Sequence, residues 1–339
     1  MKVKVSIIIP MFNSGAFIIE MIECIINQTF SNWELIIVDD ISTDGTFDTV
    51  EEYTRNEDRV KLIQRNRLPK GAQTCRNIGF QSSIGDYVLF FDADDLISKS
   101  CVKQRVQFMN DNPQLDFGIF PAHTINNSNE IFNLDGKRIY SRHKQKDDFS
   151  SLLKGEVPMA VWTNIYKRKA IVEIRWDEEV EVFQDFYFNF LVITNNLKFE
   201  YSLNAEFDYF YRVNANVNSI TSNFIKNYKV KSTIYLFSSV LESIKLREDF
   251  LERKKDLFRF CLIYFEKLLS NSNEDVLELY MVFLKKNYKS KYYVLNKTIS
   301  NVRFFRNDNL RKISLFLSMI ILFKSEKHLL ILVKKFKVW

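Results

Sequence analysis

Glycine and proline are scarce in this chain, with 8 Gly and 5 Pro among 339 residues. The sequence therefore has no low-complexity linker, and its few glycines are expected at positions with a specific backbone role. Cysteine is scarce too. Cys24, Cys75, Cys101 and Cys261 are dispersed without a CxxC pair, three of them within apolar or helical runs. That usage fits reduced core thiols of an intracellular protein rather than a disulfide framework. The three histidines, His123, His143 and His328, share no metal-ligand spacing, which argues against a zinc site. No signal peptide is evident after Met1-Lys2-Val3-Lys4. The longest apolar candidate, Ile313 to Phe323, falls short of the ~18 residues a spanning helix needs.

What is present points to a folded chain with a large core. Hydrophobic residues make up 46% and aromatic residues 15%, with Phe alone counted 31 times. The net charge of +6 conceals two halves of opposite sign. Residues 221–339 carry 24 Lys+Arg against 11 Asp+Glu, whereas residues 1–220 carry 24 against 31. Such asymmetry suggests two parts with two tasks, and a boundary is expected at 222/223.

The sequence centres on Tyr87-Val88-Leu89-Phe90-Phe91-Asp92-Ala93-Asp94-Asp95. An apolar run that ends in three carboxylates reads as a buried strand delivering negative charge to a sheet edge. Buried carboxylates need a partner, and oxygen ligands at this spacing suit a hard divalent ion. An acidic turn leading into a helix cap is the plainer alternative.

Around this stretch, strands and helices alternate. Val5–Ile9, Glu34–Val38 and Val60–Gln64 read as strands, with Pro10 ending the first. Helices are expected after Asn13 or Ser14, after Thr46 and over Gly71–Ser83. This order predicts a parallel βαβ sheet, in which ligands sit beyond the carboxyl ends of the strands. Those ends carry Pro10-Met11-Phe12-Asn13, Asp39-Asp40 and the acidic cluster. A helix to about Asp111 and a strand over Asp116–Phe120 are expected next. Residues 122–147 read as irregular and substrate-facing, with weak strand signals at Ile131 to Leu134. Val161–Tyr166 and Phe207–Val213 read as further strands. Beyond Thr221 the pattern becomes helical, over Tyr228–Leu246, Phe250–Leu269 and Val276–Lys286.

Asp92 and Asp94 can address one region of space, where a divalent ion would neutralise a departing diphosphate. Asp40, as an acceptor-only group, can take the N3–H of a uracil or can serve as a helix cap or turn residue. Arg76 and Arg212 read as phosphate contacts or as ordinary surface cations. Asp185, among Phe183, Phe186 and Phe188, reads as a general base of raised pKa or as a helix N-cap.

Taken together, SIIIPMFNSGAFI, ELIIVDDISTDGT, GAQTCRNIGF, GDYVLFFDADD and FQDFYF, in this order over residues 3 to about 220, resemble the family 2 inverting glycosyltransferases. The resemblance implies the GT-A fold, an α/β architecture with a mostly parallel sheet, over 1–222, and leaves 223–339 as a basic helical extension. It implies that Pro10, Phe12 and Asn13 pack around the nucleoside, that Asp40 reads uracil beside Asp39, and that Arg76 and Asn77 lie near the donor. It implies further that Asp92-Ala93-Asp94 is the DxD motif, with Asp94 and Asp92 on Mn²⁺ or Mg²⁺, that Asp185 is the catalytic base, and that Arg212 contacts phosphate. Three departures stand out. Gln184 replaces the usual Glu beside the base, Ile41 replaces a Gly or Asn, and the QxxRW signature of processive members is absent.

The implied activity is metal-dependent, inverting transfer of a hexosyl or N-acetylhexosaminyl group from a UDP-sugar to a hydroxyl of a glycan or lipid-linked acceptor, in polysaccharide biosynthesis. The basic C-terminal stretch, with Leu329, Leu330, Leu332 and Val333 ahead of Lys334, Lys335 and Lys337, suits an anionic membrane surface, hence a peripheral location at the inner face of the cell membrane. A sugar-1-phosphate nucleotidyltransferase would want a glycine-rich basic loop after the first strand, which Pro10–Gly15 lacks. A non-catalytic nucleotide-sugar scaffold would leave the carboxylates idle. Nucleic acid is not an expected partner, since the cations sit among aliphatics rather than in a groove-reading motif.

Overall fold

The computed structural model of the chain describes residues 5–126, 139–141, 146–213, 227–271 and 274–304. The chain divides into two compact units, Met1–Phe224 with Tyr235–Phe260, and Ile225–Ile234 with Cys261–Trp339.

The first unit opens with β1 (Val5–Met11), α1 (Gly15–Ile26), β2 (Trp33–Asp39), α2 (Thr46–Thr54), β3 (Val60–Gln64), α3 (Ala72–Ser82) and β4 (Tyr87–Phe90). It continues with β5 (Leu96–Ile97), α4 (Cys101–Asp111), β6 (Phe117–Ile119), β7 (Ala122–Ile125), β8 (Ile139–Tyr140), α5 (Asp148–Leu153), β9 (Asn164–Lys167), α6 (Gln184–Thr194), β10 (Phe199–Tyr201) and β11 (Tyr209–Arg212). Seven strands form the main sheet in the order β10-β6-β9-β4-β1-β2-β3, and β5-β11-β7-β8 form a smaller one. Within the main sheet only β9 runs antiparallel to its neighbours.

The long apolar runs follow from burial on both faces. Ile7, Ile9, Leu35, Ile37 and Leu89 pack with Ile18 and Ile22 of α1 and with Val102 and Val106 of α4. The alternate residues Ile8, Ile36, Val38, Val88 and Phe90 pack with Cys75 and Ile78 of α3 and with Phe188 and Val192 of α6. The period of two thus sorts one strand's side chains into two cores.

Three expectations need correction. Pro10 lies inside β1, paired with Val38, and does not end it. Met11 O accepts from Asp40 N toward β2, and Ile8 O accepts from Phe91 N toward β4. Pro10 shares the parity of Ile8, so its missing N–H faces the side where β4 has already ended, and no ladder bond is lost. Val161–Thr163 is a 3₁₀ turn, and the strand starts only at Asn164. Part of 122–147 is strand rather than irregular chain, because β7 pairs with both β11 and β8. The weak strand signals at Ile131 to Leu134 lie outside the described residues.

The helices α7 (Asn227–Ile244), α8 (Phe250–Asn271), α9 (Glu274–Asn287) and α10 (Lys289–Phe304) complete the described chain. In the second unit, Cys261, Tyr264, Leu268, Tyr280 and Leu284 are buried, and the Tyr280 hydroxyl donates to Cys261 O at 3.0 Å. No helix among the described residues is long and apolar enough to cross a membrane. The apolar and basic stretch from Ile313 onward lies outside them.

Candidate active site

The carboxyl ends of β1 and β2 are stitched into one rim. Asn13 N donates to Ser42 Oγ at 2.9 Å, Thr43 N donates to Asn13 Oδ1 at 2.8 Å, and Gly15 N donates to Thr46 Oγ1 at 3.0 Å. Asp39 is fully buried and accepts from Ser42 N and Ser42 Oγ, so it shapes the turn from within. Asp40 is no helix cap, since Gly45 caps α2. Asp40 pairs instead with Arg65, a buried cation just past β3. Phe12 stands on this rim with about half its surface exposed, beside the partly buried Pro10. Ile41, at φ 64°, is a β-branched residue in the left-handed region, where Gly or Asn is the ordinary occupant. Asn13 at φ 47° and Phe183 at φ 57° share that conformation, so backbone strain gathers where the loops converge.

Beyond β4 the acidic cluster divides its labour. Asp95 is fully buried and accepts from the Tyr209 hydroxyl at 2.6 Å and from Arg212 N at 2.7 Å. It is a latch onto β11, with Ala93 buried beside it. Asp92 and Asp94 remain partly exposed. Arg76 Nη2 donates to Asp92 Oδ1 at 2.7 Å, and Arg76 Nη1 donates to Gln184 Oε1 at 3.1 Å. Burial and the adjacent Asp92 charge push the Asp94 carboxyl up to about 6. Two carboxylates that repel one another at a partly open turn are a donor set that fits a hard cation. Among the described residues no three His, Cys, Asp or Glu groups converge as a complete cage. Such an ion would therefore need donor phosphate oxygens to fill its shell.

Asp185 lies in the first turn of α6, whose N-cap is Phe183, so the capping alternative fails. Burial raises its pKa to about 6, with Asp92 adding to the rise while the Arg76 guanidinium and the Val161 backbone N–H act against it. The approach to α6 is fixed by α3. Asn77 Nδ2 donates to Trp176 O and to Glu178 Oε1, both at 2.8 Å, and Gln73 Nε2 donates to Glu178 O at 3.1 Å. Gln184 Nε2 donates to Gln73 Oε1 at 2.7 Å, and Trp176 lies 4.4 Å beneath the Arg76 guanidinium. Asn77 and Asp39 are thus committed to internal contacts, whereas Arg76 links Asp92 to the residue before Asp185.

Arg212 ends β11 as a buried cation, donating to Glu20 Oε2 at 2.8 Å and lying over Phe17 at 4.7 Å. Its Nε has no hydrogen-bond partner among the described residues. Residues 214–226, which follow it, lie outside the described residues. Sequence reasoning did not single out Arg65, Gln73, Trp176, Glu178 or Tyr209, whose roles come from contacts across many residues of chain. The aromatic run Tyr209-Phe210-Tyr211 ahead of Arg212 was the one local signal for Tyr209.

Carboxylates and arginines thus gather in a rim at the carboxyl end of a mostly parallel, doubly covered α/β sheet, the architecture of the GT-A fold. The model of glycosyl transferase family 2 matches residues 6–175, and the chain belongs to that family. It is 27% identical over 299 residues to GalNAc(5)-diNAcBac-PP-undecaprenol β-1,3-glucosyltransferase of Campylobacter jejuni, covering 88% of each chain. Poly(ribitol-phosphate) β-N-acetylglucosaminyltransferase TarS of Staphylococcus aureus is 32% identical over 165 residues, which cover 43% of this chain and 29% of TarS. The crystal structure of S. aureus TarS in complex with UDP-GlcNAc superposes with a TM-score of 0.68 at 17% identity, covering 96% of this chain and 93% of that one.

Proposed function

We propose that the protein transfers a sugar from a UDP-sugar to a hydroxyl of a glycan or lipid-linked acceptor, with inversion at the anomeric carbon. The observation that carries this reading is the Arg76 bridge, which ties Asp92 of the metal turn to Gln184, the neighbour of Asp185. This bridge supports a base at Asp185 and a diphosphate site at Asp92 acting close together. Pro10, Phe12 and Asn13 would flank the nucleoside, Asp40 would accept the uracil N3–H, and Asp39 and Asn77 would hold the surrounding loops. Asp92 and Asp94 would hold Mn²⁺ or Mg²⁺, which supplies charge neutralisation for the departing diphosphate. Arg76 and Arg212 would place further positive charge on that side, with the buried Arg212 Nε an open donor. Asp185 takes the proton of the acceptor hydroxyl as its oxygen attacks, and the nucleotide leaves from the opposite face. One displacement turns an α-linked donor into a β-glycoside.

A membrane-proximal acceptor is supported by the Campylobacter jejuni relative, whose name specifies an undecaprenol-linked substrate. The corresponding location is peripheral, at the inner face of the cell membrane. The division of labour follows the sequence boundary: residues 1–222 perform the chemistry and 223–339 dock. Product analysis tests the reaction. With an α-linked UDP-sugar and an undecaprenol-linked glycan, NMR of the product should show a β anomeric proton, and an α-linked product would overturn the single-displacement reading.

A further inference from the structure

We propose that Arg65 is a base-specificity residue, which acts with Asp40 to select nucleobases that present a ring N–H beside a carbonyl. The assignment rests on the donor reading above. Arg65 is buried, and its Nε donates to Asp40 Oδ1 while its Nη1 donates to Arg67 O. Its backbone N–H donates to Asp39 O at 2.8 Å, which fixes the residue against the end of β2. Two groups are left over. Asp40 Oδ2 and Arg65 Nη2 make no hydrogen bond among the described residues. Nη2 shares an edge of the planar guanidinium with Nε, the nitrogen on Asp40. The ion pair therefore presents an open acceptor beside an open donor. Exposed Phe12 and Ile41 flank it on the same rim, with Ile41 held in its strained conformation.

A carboxylate only accepts and a guanidinium only donates. Uracil offers N3–H to the first and O4 to the second. Cytosine inverts both positions, with a lone pair at N3 and an amino group at C4, so it meets two mismatches at the same size. Guanine, with N1–H beside O6, shares the pattern of uracil, whereas adenine shares that of cytosine. Without Arg65, Asp40 keeps an acceptor but loses its fixed orientation and the neighbouring donor.

Calorimetric binding of UDP and CDP, each with Mn²⁺, tests the assignment on the full chain and on Arg65→Met and Arg65→Lys. The unaltered chain should favour UDP by about ten-fold or more, the cost of leaving buried polar groups mismatched. Arg65→Met should lose most of that preference. Arg65→Lys, with a point charge that cannot serve Asp40 and the base together, should lose part of it. Equal weakening of UDP and CDP, or an unchanged ratio in both variants, would overturn the assignment while the donor reading stands. Should Arg65→Met fail to fold, the ratio in Arg65→Lys decides. Failure of the unaltered chain to bind either UDP or GDP would instead overturn the donor reading, and this assignment with it.

Discussion

The Tyr209 hydroxyl donates to Asp95 Oδ2 at 2.6 Å and accepts from the backbone N–H of Asp92 at 3.2 Å. One phenol therefore spans the turn that carries Asp92 and Asp94. Tyr209 is itself fully buried, stacked 4.7 Å from Trp162 and tilted against Phe91 at 5.2 Å. Tyr209→Phe keeps that packing and removes the hydroxyl, leaving Asp95 with a lost donor in the interior. The expected cost is about 1–3 kcal/mol of stability, read from denaturant melts. A variant as stable as the parent would show that the latch is not needed to hold the turn.

Asp185 sets the expected pH dependence. Its carboxyl titrates near 6 because burial disfavours the charged form, and a general base must be ionised. The turnover rate at saturating donor and metal should therefore fall tenfold per pH unit below about 6 and level off above it. Asp94 titrates in the same range, so donor binding should weaken over the same acid limb. Asp185→Asn should lower turnover by about 10²–10⁴ while UDP binding persists. Unaltered turnover in that variant would remove Asp185 from the chemistry.

Beneath the site, Arg105 and Asp208 form a fully buried, two-pronged ion pair, with Nε to Oδ2 and Nη2 to Oδ1 both at 2.7 Å. Arg105 also donates to Trp162 O at 3.0 Å. Arg105→Leu strands the Asp208 carboxylate next to Tyr209, and about 3–5 kcal/mol of stability should be lost. Thermal unfolding checks this, and a shift of only a degree or two would contradict it.

At Gly79 α3 comes close to β1, and a Cβ there would lie 2.5 Å from Ile8 Cγ2. Gly79→Ala should cost about 1–3 kcal/mol through overpacking, despite alanine's better helix propensity. A more stable variant would show that α3 can shift without penalty.

The alternation of strands and helices was legible because both faces of the sheet are covered, which leaves β1 and β2 as unbroken apolar runs. The positions of Asp40, Asp92 and Asp94 at strand ends followed from the same pattern, and Asp185 stood out as a carboxylate set among aromatics at a helix start. The partners of those residues did not. Arg65 is 25 residues from Asp40, and Tyr209 is 114 from Asp95. Neither pairing leaves a trace in local periodicity. The strand β7 was missed because its buried residues include His123 and Thr124, polar side chains that break the expected apolar run. Val161–Thr163 alternates like a strand, yet Thr163 Oγ1 bonds back to Ala160 O at 2.7 Å and closes a turn.

Asp94 would hold the divalent ion that helps bind a nucleoside diphosphate, and calorimetry of UDP with and without Mn²⁺ tests this role most directly. Binding should strengthen with Mn²⁺ in the unaltered chain and lose that dependence in Asp94→Ala. Binding of equal strength with and without the metal, or a manganese effect that survives in Asp94→Ala, would contradict it.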